Sequence, residues 1–311
     1  MTELEYLTVA EALALVLAGV PILDAEEIPL SSALGLVLAE PVISRDTLPP
    51  FANSAMDGFA VRAEDVKTAS TNDPVTLQVI ADIAAGTVAD RPIGDSEAAR
   101  IMTGAPMPEG ADAVVPVEDT SIPWRDQTAD LPETVDIRRS VQVGNSVRFP
   151  GEDIREGDKV LEAGKILRPQ EIGVLAALGV TVVAVYRRPR VGVLATGDEL
   201  VGIEDALSPG KIRNSNSYAL SAQISAAGAE PVMLGVAGDT EDAVRERLQL
   251  GLDEDVDLFI SSAGVSVGAY DVVRSVLESS GSMNFWRVRM RPGKPLAFGQ
   301  YGGVPYPGLA G

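Results

Sequence analysis

D-L-F-I-S-S-A-G-V-S-V-G-A-Y-D, residues Asp257–Asp271, decides how the rest of the chain is read. A short apolar run, Leu258, Phe259 and Ile260, stops at two serines. A loop of small residues with Gly264 and Gly268 follows. Asp271 then opens a new apolar-periodic segment through Val272, Val273, Val276 and Leu277. The pattern predicts a strand, a loop and a helix start. Such loops lie at the carboxyl ends of strands in open α/β sheets, where ligands bind. Loop amides and a helix N-terminus favour an anion there. Shortly afterwards comes a cationic loop, Arg291-Pro-Gly-Lys294.

Outward from this stretch, strands and helices alternate. Arg190–Ala195 reads as a strand and 216–227 as a helix. Residues 230–236 read as a strand, 241–252 as a helix and 283–290 as a strand. The alternation predicts a parallel, doubly wound sheet. Upstream the pattern changes. Ala60-Val61 and residues 75–80, 113–117 and 135–143 are short β-like runs between Gly, Pro and Asp turns, a β-rich module. Residues 96–101 read as an acid-started helix leading into the Thr103 loop. Thr8 and Glu11 form a capping box ahead of Val9, Leu13, Val16, Leu17 and Val20, and Pro21 should end that helix. Residues 168–178 read as a helix and 181–186 as a strand. Domain junctions are expected at 45–51, with two prolines, and at Arg187-Arg188-Pro189.

At 311 residues there is room for two or three domains, and 46% hydrophobic content is that of a globular protein. The net charge is −20, which disfavours nucleic acid and anionic membranes, since both reward a basic field. Cationic contacts to an anionic ligand must therefore be local. There is no Cys and no His. Thiolate nucleophiles, imidazole bases and Cys/His zinc sites are excluded. Carboxylates, hydroxyls, Lys and Arg must carry any chemistry, and oxygen ligation points to a hard cation such as Mg²⁺. The acidic start, Met1-Thr-Glu-Leu-Glu, is not read as a signal peptide. The uncharged stretch of residues 172–186 is too short to span a membrane. A cytoplasmic protein is the expectation.

Each candidate motif has a plain reading beside a functional one. Asp57-Gly58 makes a tight turn or a projecting carboxylate. The Arg100–Gly110 segment is a proline-stiffened connection, or it offers the Thr103 hydroxyl and nearby amides to phosphate. Arg148-Phe-Pro-Gly-Glu-Asp153 is a solvated turn or a charged site. Thr196-Gly-Asp198-Glu199 follows a strand and either caps a short helix or meets a ligand. Gly238-Asp239-Thr240 reads first as a helix cap. Arg287, Arg289 and Arg291 share one face of a strand at period two. Two like charges 4 Å apart at an effective dielectric of about 20 repel by roughly 4 kcal/mol, so these three need carboxylates or an oxyanion.

Taken together, the chain resembles the molybdopterin molybdenumtransferase family, called MoeA in bacteria and similar to the E domain of gephyrin. The resemblance rests on S-A-M-D-G-F-A-V (54–61), R-I-M-T-G-A-P-M-P-E-G-A-D-A-V-V (100–115), G-E-D (151–153), T-G-D-E-L (196–200), S-S-A-G-V-S-V-G (261–268) with Y-D (270–271), and R-P-G-K-P-L-A-F-G (291–299). It covers nearly the whole chain. It implies insertion of molybdate into adenylylated molybdopterin with release of AMP, in the presence of Mg²⁺. It also implies an elongated homodimer and dealings with other proteins of molybdenum cofactor biosynthesis. The implied fold is multidomain α/β. A discontinuous linker domain takes residues 1–47 and 145–186, an inserted β-rich domain 48–144, and an α/β molybdopterin-binding domain 187–311. The family's C-terminal β domain is expected to be missing. The implied site pairs the α/β domain of one subunit with the inserted domain of the other. Asp57, Thr103, Asp153, Glu199, Asp271, Arg291 and Lys294 are its implied catalytic residues. Arg148, Ser262, Gly264, Ser266, Gly268, Asp239 and Arg287 would bind the pterin or its phosphate, and Asp57, Glu199, Asp239 and Asp271 would hold the metal. Ala269 and Asn214 stand where the family tends to have acids, and Ala310 where it has Pro. Two other readings stay open, a molybdopterin adenylyltransferase-like enzyme and a gephyrin-like dimeric scaffold without catalysis.

Overall fold

A computed structural model describes residues 6–122, 130–262, 272–280, 283–290 and 295–309. The chain divides into two compact units. One takes Met1–Ala39, Ile166–Ile172 and Val182–Gly311, and the other Glu40–Lys165 and Gly173–Thr181.

The first unit is built on a seven-stranded sheet. Its order is Tyr6–Leu7, Met283–Val288, Pro295–Tyr301, Val304–Gly308, Leu258–Ser261, Arg190–Thr196, Glu230–Ala237. Arg190–Thr196 lies between two parallel neighbours, and Val191 through Ala195 are buried on both faces. That is why the strand is a continuous apolar run. Helices cover both faces. Ile224, from the helix Asn216–Ala226, packs with Val191 and Val193. On the other face, Val244 and Leu248 of Glu241–Asp253 and Val276 and Leu277 of Val272–Ser280 pack with Leu194, Leu234 and Phe259. The doubly wound α/β expectation is met in this half.

The sheet is not parallel throughout. Pro295–Tyr301 runs antiparallel to both of its neighbours, Met283–Val288 and Val304–Gly308. The cause is local: Gly302 and Gly303, with φ of 58° and 87°, are the two residues linking Tyr301 to Val304. Two positive φ values in a two-residue loop make the turn whose twist suits a hairpin. At the amino end of Leu258–Ser261, Asp257 accepts from Arg187 (Nη1 to Oδ2, 2.7 Å) and from the Arg190 amide (2.8 Å). Burial pushes the Asp257 pKa up, but Arg187 and the Arg190 amide outweigh it and the net shift is down.

A smaller antiparallel sheet joins Ala25–Pro29, Val182–Tyr186 and Val37–Leu38 in the same unit. The N-terminal helix Val9–Ala18 has the expected capping box, with the Thr8 hydroxyl and the Glu11 carboxylate exchanging bonds with backbone amides. It ends at Gly19, before Pro21. Ala12 is its buried residue, while Val9, Leu13 and Leu17 are exposed.

The second unit holds a five-stranded sheet in the order Thr134–Ile137, Val75–Ile83, Glu97–Ile101, Gly58–Val61, Ala113–Pro116. The helix expected over 96–101 is instead the strand Glu97–Ile101, the middle one of the five, flanked on both sides. Ala98 packs with Phe59, Leu77 and Val115, while Ala99 and Ile101 pack with Ile83 and Val114 on the opposite face. Burial on both faces erases the period-two signal, and small residues let the layers close up. Two short antiparallel pairs complete the unit, Asn53–Ser54 with Val147–Arg148 and Val42–Ile43 with Lys159–Leu161. Among the described residues no helix is long and apolar enough to cross a membrane.

Candidate functional site

In the second unit, Asp57 sits in the turn between Asn53–Ser54 and Gly58–Val61. The tight turn and the projecting carboxylate are thus one structure. Asp57 Oδ1 accepts from the Thr103 amide at 2.7 Å and from the Thr103 hydroxyl at 2.8 Å. The two residues lie 46 apart in sequence. A small pocket beside them is lined by Asp57, Phe59, Arg100 and Met102. Arg100 is engaged with Asp82 across the parallel pair (Nε to Oδ1, 2.9 Å), and that pairing raises its pKa. Arg148 is exposed and pairs by its backbone with Asn53. Asp153 is exposed, and its amide donates to the Leu48 carbonyl at 3.1 Å. The 148–153 turn is held by its backbone and by the Glu152 carboxylate, which accepts from the Phe149 amide at 2.9 Å, while Arg148 and Asp153 are exposed.

In the first unit, the loops after Arg190–Thr196 and Glu230–Ala237 interlock. The Asp198 amide donates to Asp239 Oδ2 and the Asp239 amide to Asp198 Oδ1, each at 3.3 Å. The two strands are parallel neighbours, so both loops leave the sheet at its carboxyl edge. Lys211 donates to the Asp198 carbonyl. The carboxylate of Glu199 folds back over Gly197, where an added Cβ would stand 2.3 Å from Glu199 Oε2. Gly197 has φ of 140°, so the loop needs glycine for room and for conformation. The sequence reading chose Glu199 and Asp239 but passed over Asp198 and Lys211. The acidic pair in T-G-D-E was visible; which of its two members faces Asp239 was not. No short helix follows Thr196, since Leu200–Val201 is a strand paired with Ile212–Arg213. Thr240, not Asp239, is the cap of the next helix, its hydroxyl accepting from the Ala243 amide.

Arg287 stands in Met283–Val288 opposite Tyr6. It donates to the Tyr6 hydroxyl at 3.4 Å, and its guanidinium lies 5.8 Å from the centre of that ring. The strand ends at Val288, before Arg289. Ser262 closes the described part of the Asp257–Asp271 stretch, half-buried. Gly264, Ser266, Gly268, Asp271, Arg291 and Lys294 lie outside the described residues. Among the described residues no three acidic groups come together as a metal ion requires. The Asp198–Asp239 donors are hard in kind but short in number.

Residues 7–179 match the MoeA N-terminal region (domain I and II), and residues 192–309 match a probable molybdopterin binding domain. The chain is 39% identical over 285 residues to the molybdopterin molybdenumtransferase of a Nostoc species, covering 91% of this chain and 63% of that protein. It is 42% identical over 293 residues to molybdopterin molybdenumtransferase 2 of Mycobacterium tuberculosis, covering 91% and 69%. The crystal structure of the molybdopterin biosynthesis moeA protein from Pyrococcus horikoshii superposes with a TM-score of 0.78 at 32% identity, over 98% of this chain and 74% of that one. The chain thus spans 63% to 69% of the length of these two curated relatives. With two family models matched end to end along both units, and the fold shared with a solved member, the chain belongs to the molybdopterin molybdenumtransferase (MoeA) family.

Proposed function

We propose that the protein inserts molybdate into adenylylated molybdopterin with release of AMP, a step of molybdenum cofactor biosynthesis. The observation that carries this is the interlocked Asp198–Asp239 pair at the carboxyl edge of the parallel strands. Ligands of open α/β sheets bind at that edge. The relatives' names supply the substrate class. The Asp57–Thr103 pair supports a second, acidic contribution from the other unit. In this reading Glu199, Asp239 and Asp271 surround the phosphoanhydride, with Asp57 and Asp153 brought from a partner copy. Arg148, Arg287, Arg291 and Lys294 hold molybdate or phosphate oxygens. Ser262, Gly264, Ser266 and Gly268 cradle the pterin phosphate. The acceleration is electrostatic, from charges fixed before the reaction begins.

The reading includes a cytoplasmic homodimer, built from a linker domain (1–47, 145–186), an inserted domain (48–144) and an α/β domain (187–311). The exposed stripe Val9, Leu13 and Leu17 supports an interface between copies. Light scattering should give twice the 32.5 kDa chain mass. Mg²⁺ is part of the reading, and excess EDTA should then weaken substrate binding in a calorimeter. The central test incubates the protein with molybdate and adenylylated molybdopterin and measures AMP. Release by the wild type, lost in Asp239→Ala and Asp57→Ala, is the expected result. Full release by both variants would overturn the assignment.

A further inference from the structure

Building on the function proposed above, we infer that Thr103 and Ser54 are positioning residues that fix the Asp57 carboxylate with one oxygen committed and the other presented. Thr103 looks at first like a hydroxyl for binding phosphate. Its geometry gives it a different task. A threonine hydroxyl has one proton to donate, and a carboxylate can only accept. The 2.8 Å contact therefore directs that proton to Asp57 Oδ1, leaving none for a ligand oxygen. The Thr103 amide reaches the same oxygen at 2.7 Å. Both donors belong to one residue, so Asp57 cannot rotate without losing both. Oδ2 has no partner among the described residues.

The turn that carries Thr103 is itself tied to the turn that carries Asp57, through Ser54. The Ser54 amide donates to the Ala105 carbonyl at 3.0 Å, and its carbonyl accepts from the Gly104 amide at 2.8 Å. Its hydroxyl donates to the Met56 carbonyl at 2.5 Å and accepts from the Met56 amide at 3.3 Å. Ser54 is 0% exposed, so it meets no ligand and acts only through its neighbours. Gly104, with φ of 83°, gives the Thr103 turn the left-handed residue it needs. One buried serine and one surface threonine thus hold a half-buried carboxylate in a single orientation before any ligand arrives.

The test measures AMP release from adenylylated molybdopterin and molybdate by the full chain and four variants, with thermal melts confirming that each is folded. Thr103→Val should lower kcat about tenfold with KM little changed, as expected when one hydrogen bond to a charged group is removed. Thr103→Ser should restore it, and Ser54→Ala should lower kcat in the same way. Asp57→Asn should lose activity. If Asp57→Asn is inactive while Thr103→Val keeps the wild-type kcat, the positioning role is overturned and the function stands. A rise in KM alone for Thr103→Val makes it a ligand donor and also overturns the role. If the wild type releases no AMP, the proposed function fails, and crystals of Thr103→Val then decide the geometry. An unmoved Asp57 side chain would overturn the inference; a rotated or divided one would support it.

Discussion

Glu171 is 6% exposed, yet it is held as a carboxylate. Arg168 donates to it from Nε at 3.0 Å and Nη2 at 2.5 Å, and the Arg168 amide adds a third bond at 3.0 Å. The Arg168 guanidinium pulls its pKa from 4.5 to about 2, against burial, with help from the Arg168 amide. A carboxylate with a depressed folded pKa stabilises fully above its unfolded pKa. That contribution fades as pH falls toward the folded value. Glu171→Gln should therefore melt below the wild type at pH 7, and the gap should shrink steadily as pH drops from 4.5 toward 2. Melting curves across that range check it, and a gap independent of pH would contradict it. At this scale the sequence was informative about identity and silent about meeting. Asp57 and Thr103 each stood out within their own motifs, but nothing in either motif tells that one accepts from the other across 46 residues. Asp198 was overlooked because in T-G-D-E the neighbouring Glu199 is an equally good carboxylate, and only the curl over Gly197 separates their directions.

Helix 241–253 illustrates how elements fix one another. Gly251 faces Phe259 of the strand Leu258–Ser261, and a Cβ there would stand 2.3 Å from its Cε1 and 2.9 Å from its Cζ. Phe259 is fully buried and cannot retreat. Alanine normally gains about 1 kcal/mol over glycine within a helix. Overpacking costs about 1–3 kcal/mol, so Gly251→Ala should be neutral at best and more often destabilising by up to about 2 kcal/mol. Urea unfolding measures it, and a stabilised variant would show that the helix can slide. Elements with local signals were legible. The Thr8–Glu11 box fixed the start of the first helix, and Thr240 the start of another. Gly302-Gly303 was an equally local hairpin signal, and passing over it made the sheet look parallel to its end. Residues 97–101 were harder, because a strand buried on both faces lacks alternation.

Among the described residues, the buried cluster around Phe59, Leu77 and Val115 and the one around Leu194, Leu234 and Phe259 share no members and lie in different units. Compact units with separate cores can unfold in separate steps. Gly58→Ala would put a Cβ 2.1 Å from the Val115 carbonyl oxygen, inside the five-stranded sheet. It should lower the melting step of that unit by a larger margin than Gly251→Ala lowers the other. Calorimetry of both variants is the check. If each substitution moves a single common transition equally, the units melt as one. The alternation of strands and helices beyond residue 190 made the α/β unit readable. The division at Ala39 and Glu40 was not, because Pro41 beside it reads equally well as the end of a short strand, and the two prolines within 45–51 make the stronger break.

One pairing in the larger sheet bears on how the chain is made. Tyr6–Leu7 forms the outermost strand beside Met283–Val288, and Tyr6 meets Arg287 across a separation of 281 residues. A ribosome adding roughly 5–20 residues per second leaves the first strand waiting from about a quarter of a minute to a minute for its neighbour. Residues 40–165 emerge whole in the interval and can settle on their own. The strand Tyr6–Leu7 thus finds its place only after Met283–Val288, far behind it in the chain, has been made.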